Sequence, residues 1–495
     1  MKTNYPAQPN VIVILVDDMG FADLGVMGSE IKTPNLDQMA QNGVLLTQMY
    51  NCARCCPTRA SLLTGLYPHN AGVGHMGANL GTVAYQGHLR EDAVTIAEVL
   101  QQNGYRTLMS GKWHVAGEKY IGRPESWPSD QKKSIPNNRG FDRFYGILDG
   151  VTHFFSPHYN LMENEASVGV IEDDYYFTDA ITDKAIDMIG ESVQDELPFF
   201  LYLAHTAPHW PMHARPEDIA KYDGVYNQGW DKTRAQRHEE MLSRDILQHR
   251  WPISARDQSA PPWQEIEHKD WEAAKMATYA AMVDRVDQSI GRLLDALKAH
   301  DQSDNTLIMF LSDNGGCAEF MAEDGWAKYF PDQTHDGRKI VMGNRADVMP
   351  GGPLTYQSYD LPWANVSNAP FRLFKHWTHE GGISTPLIAQ WPARFKVSGV
   401  KHSPCHVVDI MATILDATGA SYPAEYDGNA IQPTDGESFL PQLEGKDWDR
   451  QRPIFFEHEG NAAVRMGQFK LVRQFDRPWE LYDMWADRTE LNDLM

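Results

Sequence analysis

Short apolar runs recur along the chain, and each stops abruptly on polar residues. Val11 to Val16 ends on Asp17-Asp18. Arg106 to Met109 leads into Gly111-Lys112-Trp113-His114, and Phe199 to Leu203 runs towards His205. Leu307 to Leu311 stops at Ser312-Asp313-Asn314-Gly315-Gly316. An apolar run of this length, without polar alternation, predicts a strand covered on both faces, as in a parallel sheet. Between the runs lie helical patterns. The clearest spans Trp271 to Leu297, where Met276, Tyr279, Val283, Val286, Ile290, Leu293 and Leu297 recur at helical spacing with charged residues opposite. Strands alternating with helices predict an α/β fold. In such open sheets ligands bind outside the carboxyl ends of the strands, so the polar residues named above should gather in one crevice.

The end of the chain is patterned differently. A helical stretch, Val407 to Leu415, precedes a turn-rich segment from Gly419 to Gly436. Short strand candidates follow at Ile454 to Phe456, Ala462 to Arg465, Phe469 to Val472 and Trp479 to Tyr482. Brief connections between short strands predict a small antiparallel sheet. The expected division is a large domain over 1–420 and a small one over 421–495. The segment from Arg215 to Asp270 is polar, rich in tryptophan, histidine and proline, and has weak helical patches without a clear strand. It suits either a substrate rim or an ordinary surface excursion.

Composition narrows the function. The formal net charge is −23 over 495 residues, which disfavours nucleic-acid binding, because that needs a positive face. No apolar run approaches the roughly 20 residues needed to span a bilayer. Met1 to Pro9 is polar and lacks the pattern of a signal peptide, so the protein is expected to be soluble: cytoplasmic as written, or periplasmic or secreted if a leader was removed. Five cysteines, three of them within Cys52 to Cys56, form neither a disulfide framework nor a paired zinc motif.

Two adjacent carboxylates at a strand end, Asp17-Asp18, repel each other unless a cation sits between them. An all-oxygen set suits calcium or magnesium; the plain alternative is a solvated turn or a helix cap. Asp313-Asn314 is a second oxygen pair at the end of a second buried strand, followed by two glycines. In Cys55-Cys56-Pro57-Thr58-Arg59, Pro57 suits the first turn of a helix that continues through Ala60 to Leu63. Cys55 then stands at the positive end of that helix, and Arg59 follows one turn later. A nucleophile, a helix N-terminus and a guanidinium together make a site for an anionic ester. A plain thiol beside a hard cation is chemically awkward, since sulfur suits calcium poorly.

Cys55-x-Pro57-x-Arg59-x-x-x-x-Thr64-Gly65 resembles the sulfatase signature. Further blocks are similar in the same order: Val16-Asp17-Asp18-Met19-Gly20, Thr33-Pro34-Asn35-Leu36-Asp37, Gly111-Lys112-Trp113-His114, Ala207-Pro208-His209, Ser312-Asp313-Asn314-Gly315, Lys375 through Glu380-Gly381-Gly382, and Trp479-Glu480-Leu481-Tyr482-Asp483. The resemblance covers nearly the whole chain and is nearest to bacterial arylsulfatases of the cysteine type, in the alkaline phosphatase superfamily. It implies a large mixed, mostly parallel sheet flanked by helices, with a small C-terminal α+β domain. It also implies that a separate maturation enzyme oxidises Cys55, rather than Cys56, to formylglycine. The hydrated aldehyde is an oxygen nucleophile, which suits calcium, with magnesium as the alternative ion.

The implied roles follow. Asp17, Asp18, Asp313 and Asn314 hold the cation together with the Cys55-derived side chain. Asp313 activates the attacking hydroxyl, and attack on sulfur gives a covalent sulfo-enzyme intermediate. His209, with Lys375 beside it, protonates the leaving alcohol or phenol. His114 takes the proton of the second hydroxyl, and Arg59 and Lys112 stabilise sulfate oxygens. His153 with Phe154-Phe155, Trp210, Trp377 and His379 are candidates for the leaving-group pocket, each with packing as the plain alternative. The rival activities are a phosphonate monoester or phosphodiester hydrolase using the same site, and a binding protein without catalysis. A two-zinc phosphatase would need a second histidine and carboxylate group that the sequence does not supply. Aryl sulfates and sulfated sugars both remain open as substrates, and the oligomeric state is not readable.

Overall fold

The computed structural model describes residues 8–117, 132–169, 171–323 and 331–495. Most of Met1 to Pro9, on which the leader reading rested, lies outside the described residues. The expected α/β fold is observed. The main sheet has 11 strands. Its principal strands are β1 (Asn10–Val16), β2 (Val44–Tyr50), β3 (Arg106–Lys112), β4 (Arg143–Ile147), β5 (Phe199–Ala204), β6 (Thr306–Ser312) and β7 (Ser384–Gln390). They lie in the order β2-β7-β6-β1-β5-β3-β4, with short strands at both edges. β1 pairs in parallel with β5 and β6, and β3 pairs in parallel with β4 and β5. β7 runs antiparallel to β2 and β6, which makes the sheet mixed.

Every residue of β1 is buried because both faces of the sheet are covered. Ile12, Ile14 and Val16 share one core with Met276, Tyr279, Val283 and Ile290 of a 31-residue helix, Lys269–Ala299. Val11, Val13 and Leu15 point to the other core, with Leu62 and Leu63 of helix Cys55–Thr64 and Ile410 and Ile414 of helix Asp409–Thr418. The absence of polar alternation in the sequence therefore reports two buried faces. Each fully buried aliphatic side chain contributes about 1.5–3 kcal/mol of transfer free energy.

The C-terminal strands form a separate four-stranded antiparallel sheet: β8 (Ile454–His458), β9 (Asn461–Met466), β10 (Phe469–Arg473) and β11 (Glu480–Asp483). Here side chains alternate. Ile454, Phe456, Ala463, Val472 and Tyr482 bury against Tyr50 and Ile383 of the large sheet region, while Phe455, Met466 and Phe469 are exposed.

The segment 215–270 is partly helical and partly buried. It contains a 14-residue helix, Trp230–Ser243. Trp230 packs against Trp263 and Trp363, with ring centroids 4.8 and 5.6 Å away. The helix looked weak in sequence because part of its buried face is charged: Arg237 is fully buried, 2.5 Å from Asp23 and 2.7 Å from Glu30. Among the described residues, no helix is long and apolar enough to cross a membrane.

Candidate active site

Parallel pairing brings the site together. Val16 lies opposite Ser312, so Asp17-Asp18 and Asp313-Asn314 leave the sheet at the same level. The Asp313 amide donates to the Val16 carbonyl at 3.0 Å, and the Asp18 amide donates to Asp313 Oδ1 at 3.2 Å. Lys112 is the last residue of β3, two strands away. Asp18 and His114 have left-handed backbones, with φ of 67° and 61°. Such conformations cost on the order of 1–3 kcal/mol each and concentrate at functional sites.

Cys55 opens its helix as expected, after an extended Arg54, and no side chain caps the helix start. Arg59, one turn on, is fully buried. Its Nη2 lies 2.8 Å from Asp313 Oδ2 and 3.6 Å from Asp17 Oδ2, while its Nη1 donates to the Lys112 carbonyl at 2.9 Å. Lys112 Nζ is paired with Asp17. Lys375 Nζ sits 2.8 Å from Asp18 Oδ1, Asn314 Nδ2 donates to the same oxygen at 2.6 Å, and His209 Nε2 lies 3.4 Å from Asp18 Oδ2. His114 is hydrogen-bonded to the Cys55 thiol. The structure thus gathers Asp17, Asp18, Cys55, Arg59, Lys112, His114, His209, Asp313, Asn314 and Lys375 into one buried cluster.

The donor set fits a divalent cation. Asp17, Asp18, Asp313 and Asn314 are all buried, yet Asp17 Oδ1 and Asn314 Oδ1 have no hydrogen-bond partner. Leaving buried oxygens unpaired costs about 1–3 kcal/mol each, and oxygen-only donors suit calcium or magnesium. Asp17 is held below the usual carboxylate range: burial opposes ionisation, but Lys112, His209 and Arg59 outweigh it. Asp313 is pushed well up, first by burial and then by the like charge of Asp17. A cation among these groups would reverse that bias.

The thiol of Cys55 marks where an oxygen nucleophile would stand after oxidation. It is held well below the usual thiol range, first by a hydrogen bond with Cys56 and, against burial, by Lys112 and His114. Burial lowers His114 to about 4, so its imidazole is neutral near pH 7.

The pocket candidates part company. Trp210 lies beside His209, with ring centroids 4.4 Å apart, and its indole donates to Glu319 at 2.8 Å. His153 sits in an aromatic group, 4.2 Å from the His213 ring, with Nε2 2.8 Å from the Pro353 carbonyl. His379 is fully buried and its Nε2 stands 3.3 Å from Glu480 of the C-terminal sheet. Trp377 packs against His376. Arg54 and Glu319 were absent from the sequence expectations. They pair at 2.9 Å and line a cavity with Cys317, Lys375 and Trp377. Glu319 stays ionised despite burial, because Lys375 and Arg54 flank it. Their only sequence signal is nearness to Cys55 and to the Asp313 loop.

A family model described as sulfatase matches residues 9–420, and one for the C-terminal part of N-sulphoglucosamine sulphohydrolase matches residues 371–495. The chain belongs to the sulfatase family. This sulfatase is 31% identical to an arylsulfatase of Klebsiella aerogenes, over 83% of this chain and 87% of that protein. It is 30% identical to an uncharacterized sulfatase of Schizosaccharomyces pombe, over 98% and 90%. The solved structure of Ps i-CgsB superposes with a TM-score of 0.69 at 27% identity, covering 99% of this chain and 89% of that one. Ps i-CgsB is also known in complex with k-i-k-neocarrahexaose. The protein is accordingly a sulfuric ester hydrolase, of a family that generally uses formylglycine and a divalent metal.

Proposed function

We propose that this sulfatase hydrolyses sulfate monoesters to an alcohol or phenol and inorganic sulfate, with Cys55 converted to formylglycine by a maturation enzyme. One divalent cation, calcium before magnesium, would be held by Asp17, Asp18, Asp313 and Asn314 with the Cys55-derived side chain. The observation that carries this reading is the pair of buried, unpartnered oxygens, Asp17 Oδ1 and Asn314 Oδ1, in the cluster that contains Cys55. When present, the hydrated aldehyde supplies an oxygen nucleophile and the cation offsets sulfate charge.

The remaining work falls to this chain's own side chains. Asp313 accepts the proton of the attacking hydroxyl, with its carboxylate oriented by Arg59 at 2.8 Å. Arg59 and Lys112, both fully buried, present fixed positive charge to sulfate oxygens. His209 Nε2, close to Asp18 Oδ2, gives its proton to the departing oxygen, and Lys375 steadies the charge that develops there. His114, neutral and bonded to the Cys55 side chain, accepts the proton whose loss expels sulfate.

The similarity to an arylsulfatase favours aryl sulfates, and Trp210 beside His209 offers a flat apolar wall for a ring. Sulfated sugars are the second reading, favoured by the oligosaccharide complex of Ps i-CgsB. The test is turnover of fully matured protein on 4-nitrophenyl sulfate, matched phosphate and phosphonate esters, and sulfated mono- and oligosaccharides. Sulfate esters are expected to give the highest kcat/KM. A preference of several orders of magnitude for a phosphorus ester would overturn the proposal.

A further inference from the structure

A second titratable cluster lies outside the catalytic set. His458 ends β8 and Glu459 opens the turn to β9, His376 follows Lys375, and His75 follows the short helix Pro68–Ala71. Ligand atoms of His376, His458 and Glu459 all lie within 4.8 Å of one another. Glu459 is central: Oε1 stands 2.8 Å from His75 Nε2 and 3.7 Å from His458 Nε2, and Oε2 stands 2.9 Å from His376 Nδ1.

Ordinary hydrogen bonding accounts for the contacts of Glu459 with His75 and His376. It does not account for His458. That side chain is fully buried, and neither of its ring nitrogens has a hydrogen-bond partner. Its ring stacks on His75 with centroids 5.7 Å apart and meets His376 edge-on at 5.6 Å. Three imidazoles crowded around one carboxylate, the most buried of them unbonded, make a ligand set. His376 and Glu459 also have left-handed backbones, with φ of 93° and 51°. At Glu459 the positive φ belongs to the two-residue hairpin turn Glu459-Gly460 that joins β8 to β9.

We propose that His75, His376, His458 and Glu459 bind a zinc-type divalent cation. Imidazole with one carboxylate suits zinc better than calcium. Zinc with nitrogen and oxygen ligands at roughly 2.0–2.2 Å holds its donor atoms about 3.4 Å apart in a tetrahedron. Glu459 stands 2.8–3.7 Å from the three imidazoles, and His376, His458 and Glu459 present ligand atoms within 4.8 Å of one another, so side-chain movement that draws the nitrogens inward closes the site. An anionic ligand is disfavoured by the central Glu459 charge, and the nearby Arg54 is engaged by Glu319. His75, His376 and Glu459 are each about one-third exposed, which leaves the ion a route in.

The bound ion would tie three segments together beside the catalytic cluster. The His376 amide donates to the Ala53 carbonyl at 2.8 Å, two residues before Cys55, and Lys375 next to it holds Asp18. The ion therefore acts as a staple between the C-terminal sheet and the backbone that carries Lys375. This inference does not depend on the proposed catalytic reading.

The experiment is calorimetric titration of untagged, calcium-saturated protein with zinc chloride. Calcium prefers oxygen donors to imidazole, so it leaves the histidine set open. One equivalent of zinc is expected to bind and to raise the melting temperature. In His458→Ala and His376→Ala, affinity should fall by about 100-fold or more, and the melting shift should vanish. Glu459→Gln, which keeps side-chain shape, should also bind more weakly. Melting curves without zinc establish that each variant is folded. Absence of a zinc equivalent in the wild-type protein, or unchanged zinc binding in the folded variants, overturns the proposal.

Discussion

Two of the buried charged clusters in this protein are built to opposite ends. Around Glu380, both carboxylate oxygens are partnered. Its Oε1 meets Lys470 at 2.9 Å, and its Oε2 meets Arg488 Nε at 2.9 Å, the Ser384 hydroxyl at 2.8 Å and the Tyr50 hydroxyl at 3.1 Å. Lys470 also reaches Glu490 at 2.7 Å, and Glu490 accepts the Glu380 amide at 3.0 Å. Around Asp17, burial is equally complete, yet Asp17 Oδ1 and Asn314 Oδ1 are left without partners. A satisfied buried network fixes one packing; an unsatisfied one is stable only when a ligand completes it. Burial and charge alone do not separate structural from functional clusters. What sets the Asp17 cluster apart is two unpartnered oxygens among converging carboxylates.

Substitutions should divide along the same line. The largest effect is expected from Cys55→Ala, on the order of a 10⁶-fold loss of kcat/KM, the scale seen when a nucleophile is deleted. Its melting temperature should stay near that of the parent; a large drop would place Cys55 with the structural residues. Asp17→Asn should weaken calcium binding by more than about 100-fold and reduce turnover in parallel, with excess calcium restoring part of it. Chelation of the parent protein should do the same reversibly. For His209→Ala, a loss of about 10²–10⁴-fold is expected on esters with poor leaving groups, and a smaller one on 4-nitrophenyl sulfate, whose phenolate leaves without a proton. Equal losses on both would remove His209 as the acid.

Glu380→Gln should behave in the opposite way. It weakens the pairing of buried Lys470 and Arg488, so a stability loss of about 3–5 kcal/mol is expected by denaturant titration, while folded molecules retain turnover. The smallest effect is a pH dependence. Burial pushes Glu380 up, but Lys470, Arg488 and Arg465 outweigh it and bring it to about 2, below the ordinary 4.5. A depressed carboxylate contributes stability above its unfolded value and loses it as pH falls through the folded one. The gap in melting temperature between parent and Glu380→Gln should therefore be full above pH 4.5 and narrow towards pH 2.

Much of this was legible in the sequence, for a definite reason. The strands β1, β3, β5 and β6 are buried on both faces, so their apolar runs were unbroken and their polar ends conspicuous. The Cys55 helix was readable from Pro57, and the alternation of β8 to β11 from their single buried face. Other features depended on pairing between distant residues. The helix Trp230–Ser243 was obscured because Arg237 is buried against Asp23 and Glu30. Glu319 matters only because Arg54, Trp210 and Lys375 surround it. His379, adjacent to a conspicuous block, turns towards Glu480, and no local pattern gives that direction.

The central claim is that Cys55 acts as the precursor of the nucleophile. It is tested most directly by preparing the protein with graded amounts of a formylglycine-generating enzyme. Mass analysis of the Cys55 peptide then gives the converted fraction, to be set against sulfate-ester turnover per molecule. Turnover should be proportional to conversion, with a line through the origin. Full turnover in protein whose Cys55 remains a thiol would contradict it.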